Sequence, residues 1–224
     1  MTPPALNVNL IHTLSVTLLL TTVAAAETRR LRMAATAYGA QALLIVALLV
    51  SFARINPSLY WWAGTALITK AVLTPALLYY YIRQVHETEL KPLIGFAPSV
   101  TVAAILMVVF FRLTHSQVEL LAPTALAREE VFRTNLAVGA TVFVMGLYAV
   151  LTRRDAIKTV IGLCLLENGV HLSLVSLVPD LPETALFGIA TEVVITAFLL
   201  LYVIAGVYRQ FGTTDTLQMN ELRG

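Results

Sequence analysis

Seven apolar runs, each long enough to cross about 30 Å of hydrocarbon, constrain this chain more than any other feature. They lie at residues 7–26, 34–52, 59–82, 93–111, 132–151, 157–178 and 183–208. A chain in lipid must satisfy its backbone polar groups internally, so spans are helices or closed barrels. Barrel strands would alternate with a period of two, and these runs are continuous. The expected fold is therefore all-α, a polytopic integral membrane protein of about seven transmembrane helices. Composition points the same way. Of 224 residues, 58% are hydrophobic and 12% charged, where a soluble domain carries about a quarter charged. Disorder, a secreted disulfide scaffold and an ordinary cytosolic enzyme are excluded. The net charge of +2 makes no case for nucleic acid as a partner. The one cysteine, Cys164, cannot by itself form an internal disulfide or an iron–sulfur site. Met1-Thr2-Pro3-Pro4 lacks the basic region of a signal peptide, so the first run is read as a span that stays.

Basic residues orient the spans. With the N-terminus outside, the inner segments hold Arg29, Arg30, Arg32, Arg83, Lys91, Arg153, Arg154, Lys158, Arg209 and Arg223. The outer segments hold Arg54, Arg112, Arg128 and Arg133. Ten against four places the C-terminus in the cytoplasm by the positive-inside rule. In the third span Tyr60, Trp61 and Trp62 open the run and Tyr79, Tyr80 and Tyr81 close it, which reads as a pair of interfacial belts with Lys70 midway. The chain then divides into four N-terminal helices (1–111), an outer connecting loop (112–131), three C-terminal helices (132–208) and a cytoplasmic tail (209–224). The loop carries His115, Glu119, Pro123, Glu129 and Glu130; the tail from Gly212 is short and polar and reads as a docking strap.

Charge near the bilayer centre costs at least a few kcal/mol per group. Three spans accept that cost: Lys70 in the third, Glu167 in the sixth and Glu192 in the seventh. Glu167 lies about 15 Å down its helix axis at the usual rise, and Glu192, on a helix running the other way, reaches a similar depth. These groups are expected to face the bundle interior, a water-filled cavity or a neighbouring subunit. They read as a proton relay or its electrostatic control; the competing reading is a set of buried ion pairs that fix helix packing. His171 follows Glu167 by one helical turn on the same face, where it either passes a proton or hydrogen-bonds a backbone carbonyl.

Several neighbours have plainer readings. His12 fits an interfacial or packing position. Thr69, Thr74 and Pro75 flank Lys70; the proline frees the Ala71 carbonyl and invites a kink or a bound water. Gly162 and Gly169, and likewise Gly139 and Gly146, stand at heptad spacing and suit close helix packing. Cys164 reads as a small packing residue. The sequence offers no catalytic residue, no metal site and no cofactor site of its own.

The stretch Arg153-Arg154-Asp155-Ala156-Ile157-Lys158, followed by Gly162-Leu163-Cys164-Leu165-Leu166-Glu167-Asn168-Gly169-Val170-His171-Leu172, resembles component E of the hydrogenase-4 type complexes. Ile68-Thr69-Lys70, Gly188-Ile189-Ala190-Thr191-Glu192 and the ending Asn220-Glu221-Leu222-Arg223-Gly224 fit the same pattern. The last three spans also resemble the three-helix K subunit of respiratory complex I and, more weakly, the C subunit of Mrp-type antiporters. The resemblance implies a non-catalytic subunit of a group 4 membrane-bound hydrogenase of the formate hydrogenlyase type, in a bacterial or archaeal cytoplasmic membrane. It implies as partners antiporter-like membrane subunits, a subunit similar to the quinone-site subunit of complex I, and peripheral nickel–iron hydrogenase and iron–sulfur subunits. It also implies a proton path through Glu167, Glu192, Lys70 and His171. Glu192 matches the later of the two K-subunit glutamates; the earlier one falls on Cys164, and Glu167, one turn on, is the implied replacement.

Other functions compete on the residues alone. A stand-alone secondary ion or solute transporter would use Lys70 and the two glutamates as its binding site, but no inverted repeat is visible. A haem protein would need His12 and His171 as axial ligands. A purely structural membrane subunit would need none of these residues.

Overall fold

The computed structural model describes residues 6–85, 95–177 and 183–216, and for the start of the last helix (183–187, 189 and 190) it describes the backbone alone. Seven helices in it are long and apolar enough to cross a membrane. They are Val8–Glu27, Leu31–Phe52, Ser58–Gln84, Phe96–Ser116, Glu130–Thr152, Ala156–Leu177 and Glu183–Phe211. No strand occurs among the described residues; a lone bridge joins Asp155 to Asp215. The helical bundle expected from hydropathy is therefore the fold.

Polar residues inside the spans are matched locally. In the first helix the Asn7 carboxamide accepts from the Leu10 amide at 3.2 Å and caps the N-terminus. Thr13, Thr17 and Thr22 each donate to the carbonyl one turn back, at 2.9, 2.8 and 2.7 Å, which lets hydroxyls sit in lipid-crossing helix without a bare donor.

The fourth helix continues through Arg112 to Ser116, beyond the apolar run that suggested a loop from 112. Between it and the fifth span lie two short helical turns, Val118–Leu121 and Ala125–Arg128. Backbone hydrogen bonding, more than hydropathy, sets where a helix ends, so the connection is shorter and more ordered than the charge pattern predicts.

The fifth and sixth helices form the centre: 67% and 61% of their spanning windows are buried, against 11% for the fourth helix and 22% for the seventh. Small residues create that contact. A Cβ placed on Gly146 would meet the backbone of Leu166 and stand 2.8 Å from the Gly162 carbonyl. One on Gly169 would meet the Phe143 backbone and stand 2.7 Å from the Gly139 carbonyl. The two helices thus touch backbone to backbone, as small residues at heptad spacing predict. Around this pair the apolar core forms two main groups, one containing Tyr38, Leu78, Ile161 and Leu201, the other Leu18, Phe52, Trp62 and Leu172.

The aromatic belts of the third span are only partly belts. Tyr60, Trp61 and Tyr80 are exposed, but Trp62 and Tyr81 are buried in the core. The helix turns two of the six rings inward, which a count along the sequence does not register.

At the end of the bundle that holds Arg153, the chain after the last helix folds back. Gly212 turns it with φ +71°. The Ala156 amide then donates to the Thr214 carbonyl at 3.1 Å and the Thr216 amide to the Arg154 carbonyl at 2.9 Å. Residues 212–216 are thereby held against the start of the sixth helix, and the rest of the tail lies outside the described residues.

Candidate functional site

The third span is not uniformly α-helical. Leu67–Leu73 is π-helix, with the Thr74 amide bonded five residues back to the Thr69 carbonyl. The Thr74 hydroxyl donates to the same carbonyl at 2.8 Å. Pro75, which has no amide hydrogen, follows at the start of the regular helix. The sequence leads one to expect a kink or a bound water here; the chain instead widens one turn, a form common at functional sites. Lys70 sits inside the widened turn.

Lys70 is 1% exposed. Its ammonium faces the sixth helix, where it donates to the Asn168 Oδ1 at 2.8 Å and meets His171 Nδ1 in a short contact. Glu167 Oε1 stands 3.6 Å from Lys70 Nζ and 3.4 Å from His171 Nδ1. Lys70, Glu167 and His171 therefore form one cluster across two helices. The one-turn spacing of Glu167 and His171 does bring both to the face that meets Lys70. His171 makes its contact with Lys70 rather than a carbonyl, and Trp62 lies edge-on to its ring at 5.9 Å.

Glu192 is placed differently. It is exposed on the seventh helix and, among the described residues, forms no ion pair with the cluster. It shares with Glu167 and Cys164 a half-open cleft of about 160 Å³ between the sixth and seventh helices, lined otherwise by apolar residues such as Val193 and Ala197 and by Thr196. Cys164 and Glu167, a turn apart, thus open on the same cleft.

A second set of residues carries no charge, so charge within an apolar run does not mark it. Asn168 Nδ2 donates to Gln41 Oε1 at 3.0 Å, and Gln41 Nε2 donates to Thr22 Oγ1 at 2.8 Å. Asn168, Gln41 and Thr22 are each fully buried. The cluster around Lys70 therefore extends through the second helix into the first. The signal was an amide in the middle of an apolar run, which is itself unusual in a span. Buried Tyr38, on the second helix, lies beside Cys164 and Asn168.

Another buried polar group sits at the Arg153 end. Arg153 meets the Glu27 carboxylate in a short ion pair and donates to Ser99 Oγ at 2.9 Å. Ser99 Oγ is 2.8 Å from the Tyr148 hydroxyl. Asp155, just before the sixth helix, accepts from the Lys158 amide at 2.9 Å and from Thr214 Oγ1 at 3.1 Å. Burial pushes the Asp155 carboxyl above the ordinary carboxylate range, and those hydrogen bonds only partly offset it. Among the described residues, no three His, Cys, Asp or Glu side chains come together in a way that could hold a metal ion.

A membrane bundle with a buried Lys–Glu–His cluster can be set against known proteins. Residues 135–224 match the family model for NADH-ubiquinone/plastoquinone oxidoreductase chain 4L. Hydrogenase-4 component E of Escherichia coli K12 is 27% identical over 218 residues, covering 96% of this chain and 98% of that protein. The chloroplastic NAD(P)H-quinone oxidoreductase subunit 4L of Nephroselmis olivacea is 34% identical over 100 residues, 42% of this chain and 98% of that protein. The subunit 4L of Nostoc sp. is 32% identical over 97 residues, 41% of this chain and 96% of that protein. No solved structure matches the chain.

Fold and relatives together define a class: a multi-pass membrane subunit of a complex I-like complex. Within that class the chain belongs, through its C-terminal region, to the chain 4L family, and along 96% of its length it is a homologue of hydrogenase-4 component E.

Proposed function

We propose that this protein is the subunit of a hydrogenase-4 or formate hydrogenlyase-type complex that joins the redox module to antiporter-like subunits. In this reading it contributes Glu167, Glu192, Lys70 and His171 to a proton path. Its membrane neighbours are antiporter-like subunits and a subunit similar to the quinone-site subunit of complex I. The peripheral arm holds the nickel–iron hydrogenase and iron–sulfur proteins. The setting is a bacterial or archaeal cytoplasmic membrane, with the N-terminus outside and the C-terminus in the cytoplasm.

The observation that carries the reading is the contact of buried Lys70 with Glu167, whose carboxylate also opens on the cleft that holds Glu192. A proton that reaches Glu167 from the cleft has Lys70 and His171 within reach on the inner side. The shared cleft also favours Glu167 as the carboxylate standing in for the one absent at Cys164, since a shift of one turn keeps it on the same opening.

The test uses the assembled complex in sealed vesicles. Glu167→Gln and Glu192→Gln should leave hydrogen oxidation with an artificial dye intact and weaken coupled proton transfer. Unchanged proton transfer in both variants removes these residues from the path. An isolated chain that transports an ion in liposomes would favour the stand-alone transporter.

A further inference from the structure

Lys70 fixes the direction of every hydrogen bond in the buried chain behind it. An ammonium donates three hydrogen bonds and accepts none. The atom of Asn168 that faces Lys70 Nζ at 2.8 Å must therefore be its carbonyl oxygen. The Asn168 amide nitrogen then faces Gln41, whose oxygen must accept at 3.0 Å. The Gln41 nitrogen in turn faces Thr22 Oγ1 at 2.8 Å, and the Thr22 hydroxyl donates to the Leu18 carbonyl at 2.7 Å. Each dipole points its acceptor end back toward Lys70, across the sixth, second and first helices. Such aligned chains strengthen one another in a low-dielectric interior.

From this we infer that Gln41 and Asn168 are positioning residues for Lys70. They aim one acceptor at Nζ and close the side of the cluster that faces the first two helices. Nothing in the Asn168–Gln41–Thr22 branch titrates near neutral pH, and the branch ends on a backbone carbonyl. It holds the ammonium and conducts no proton. Exchange at Lys70 is left to His171 and Glu167, and only Glu167 opens on the cleft between the sixth and seventh helices. The first three spans therefore do more than fill space beside the chain 4L module: the third supplies the lysine, and the first and second supply Thr22 and Gln41, which hold Asn168 of the sixth helix against it.

This inference rests on the proton-path reading of Lys70, and a double-mutant cycle in the assembled complex separates the two. Dye-linked hydrogen oxidation and coupled proton transfer are measured for wild type, Lys70→Met, Gln41→Met and the double variant. Gln41→Met keeps the side chain's length and removes both its hydrogen bonds. It should slow coupled proton transfer about five- to tenfold, the scale of a buried neutral hydrogen bond, with dye-linked oxidation unchanged. On the Lys70→Met background the same substitution should cause no further loss, because a clamp without its lysine has nothing to hold. A merely structural role for Gln41 would lower transfer on both backgrounds alike, and that result overturns the inference. So does a slow Lys70→Met with an unimpaired Gln41→Met. Unimpaired transfer in Lys70→Met instead defeats the proton-path reading itself, and the clamp with it. Where Gln41→Met fails to assemble, Thr22→Val tests the same chain from its far end and should show the same dependence on Lys70.

Discussion

Lys70 Nζ stands 3.6 Å from Glu167 Oε1, joining the third helix to the sixth inside the membrane bundle. Lys70 is buried, whereas the Glu167 side chain keeps 25% exposure toward the cleft, so the pair is desolvated mainly on one side. Removing one member of a buried pair leaves the other unpaired and typically costs a few kcal/mol. Lys70→Met should lower the stability of the subunit by about 2–3 kcal/mol, discounted for the partly exposed carboxylate. Lys70→Met combined with Glu167→Gln should recover part of that loss. Thermal melting of the purified complex checks both; an equal or larger loss in the double variant contradicts a desolvated pair.

The contact between the fifth and sixth helices predicts a sharp contrast among glycines. Gly169→Ala places a methyl group against the Phe143 backbone, and Gly146→Ala places one against Leu166. Backbone cannot swing aside as a side chain can, so each helix must move, at about 1–3 kcal/mol or more. Gly206, on the seventh helix, has nothing within 4 Å of an added Cβ. Gly206→Ala should be neutral or stabilising by up to about 1 kcal/mol. Yield of assembled complex for the three variants distinguishes them, and a Gly206→Ala defect as severe as that of Gly169→Ala defeats the packing account.

The spans were legible because one property, apolar length, dictates them, and Lys70, Glu167 and His171 were legible because charge in such a run is rare. Helical periodicity then placed Glu167 and His171 on one face, and the structure sets Lys70 against that face. What the sequence did not disclose depends on partners from distant segments. Gln41 and Asn168 look like ordinary polar residues until the second and sixth helices meet. Trp62 looked interfacial because its sequence position is at a helix end, but its ring faces the core. Pro75 signalled irregular helix, yet the form of the irregularity, a widened turn around Lys70, depends on where the Thr74 amide finds its acceptor.

Arg153 read as a topology marker, and the structure buries it against Glu27 and Ser99. Both charged side chains are almost fully enclosed, at 3% and 5% exposure. Arg153→Gln would leave Glu27 a buried unpaired carboxylate and should destabilise the subunit by about 3–5 kcal/mol. Glu27→Gln should do comparable damage from the other side. In the double variant the loss should be smaller than the two singles combined. Melting temperatures of the three variants in the same detergent test the coupling, and strictly additive losses would show that the pair does not act as a unit.

The strap that returns to the sixth helix should respond to pH through Asp155. Burial raises its carboxyl above the value it has in an unfolded chain, so between those two values the folded protein binds more proton than the unfolded one. Stability therefore falls as pH rises through that window, and the contact around Asp155 is held most firmly when the carboxyl is protonated. Amide exchange at Thr216, whose N–H donates to the Arg154 carbonyl at 2.9 Å, reports on that contact directly. After correction for intrinsic rates, its protection in wild type should increase as pH falls from neutral toward the carboxylate range. Asp155→Asn, which stays uncharged throughout, should flatten the dependence. A wild-type profile that runs the other way would show that hydrogen bonds from Lys158 and Thr214, rather than burial, govern the charge of Asp155.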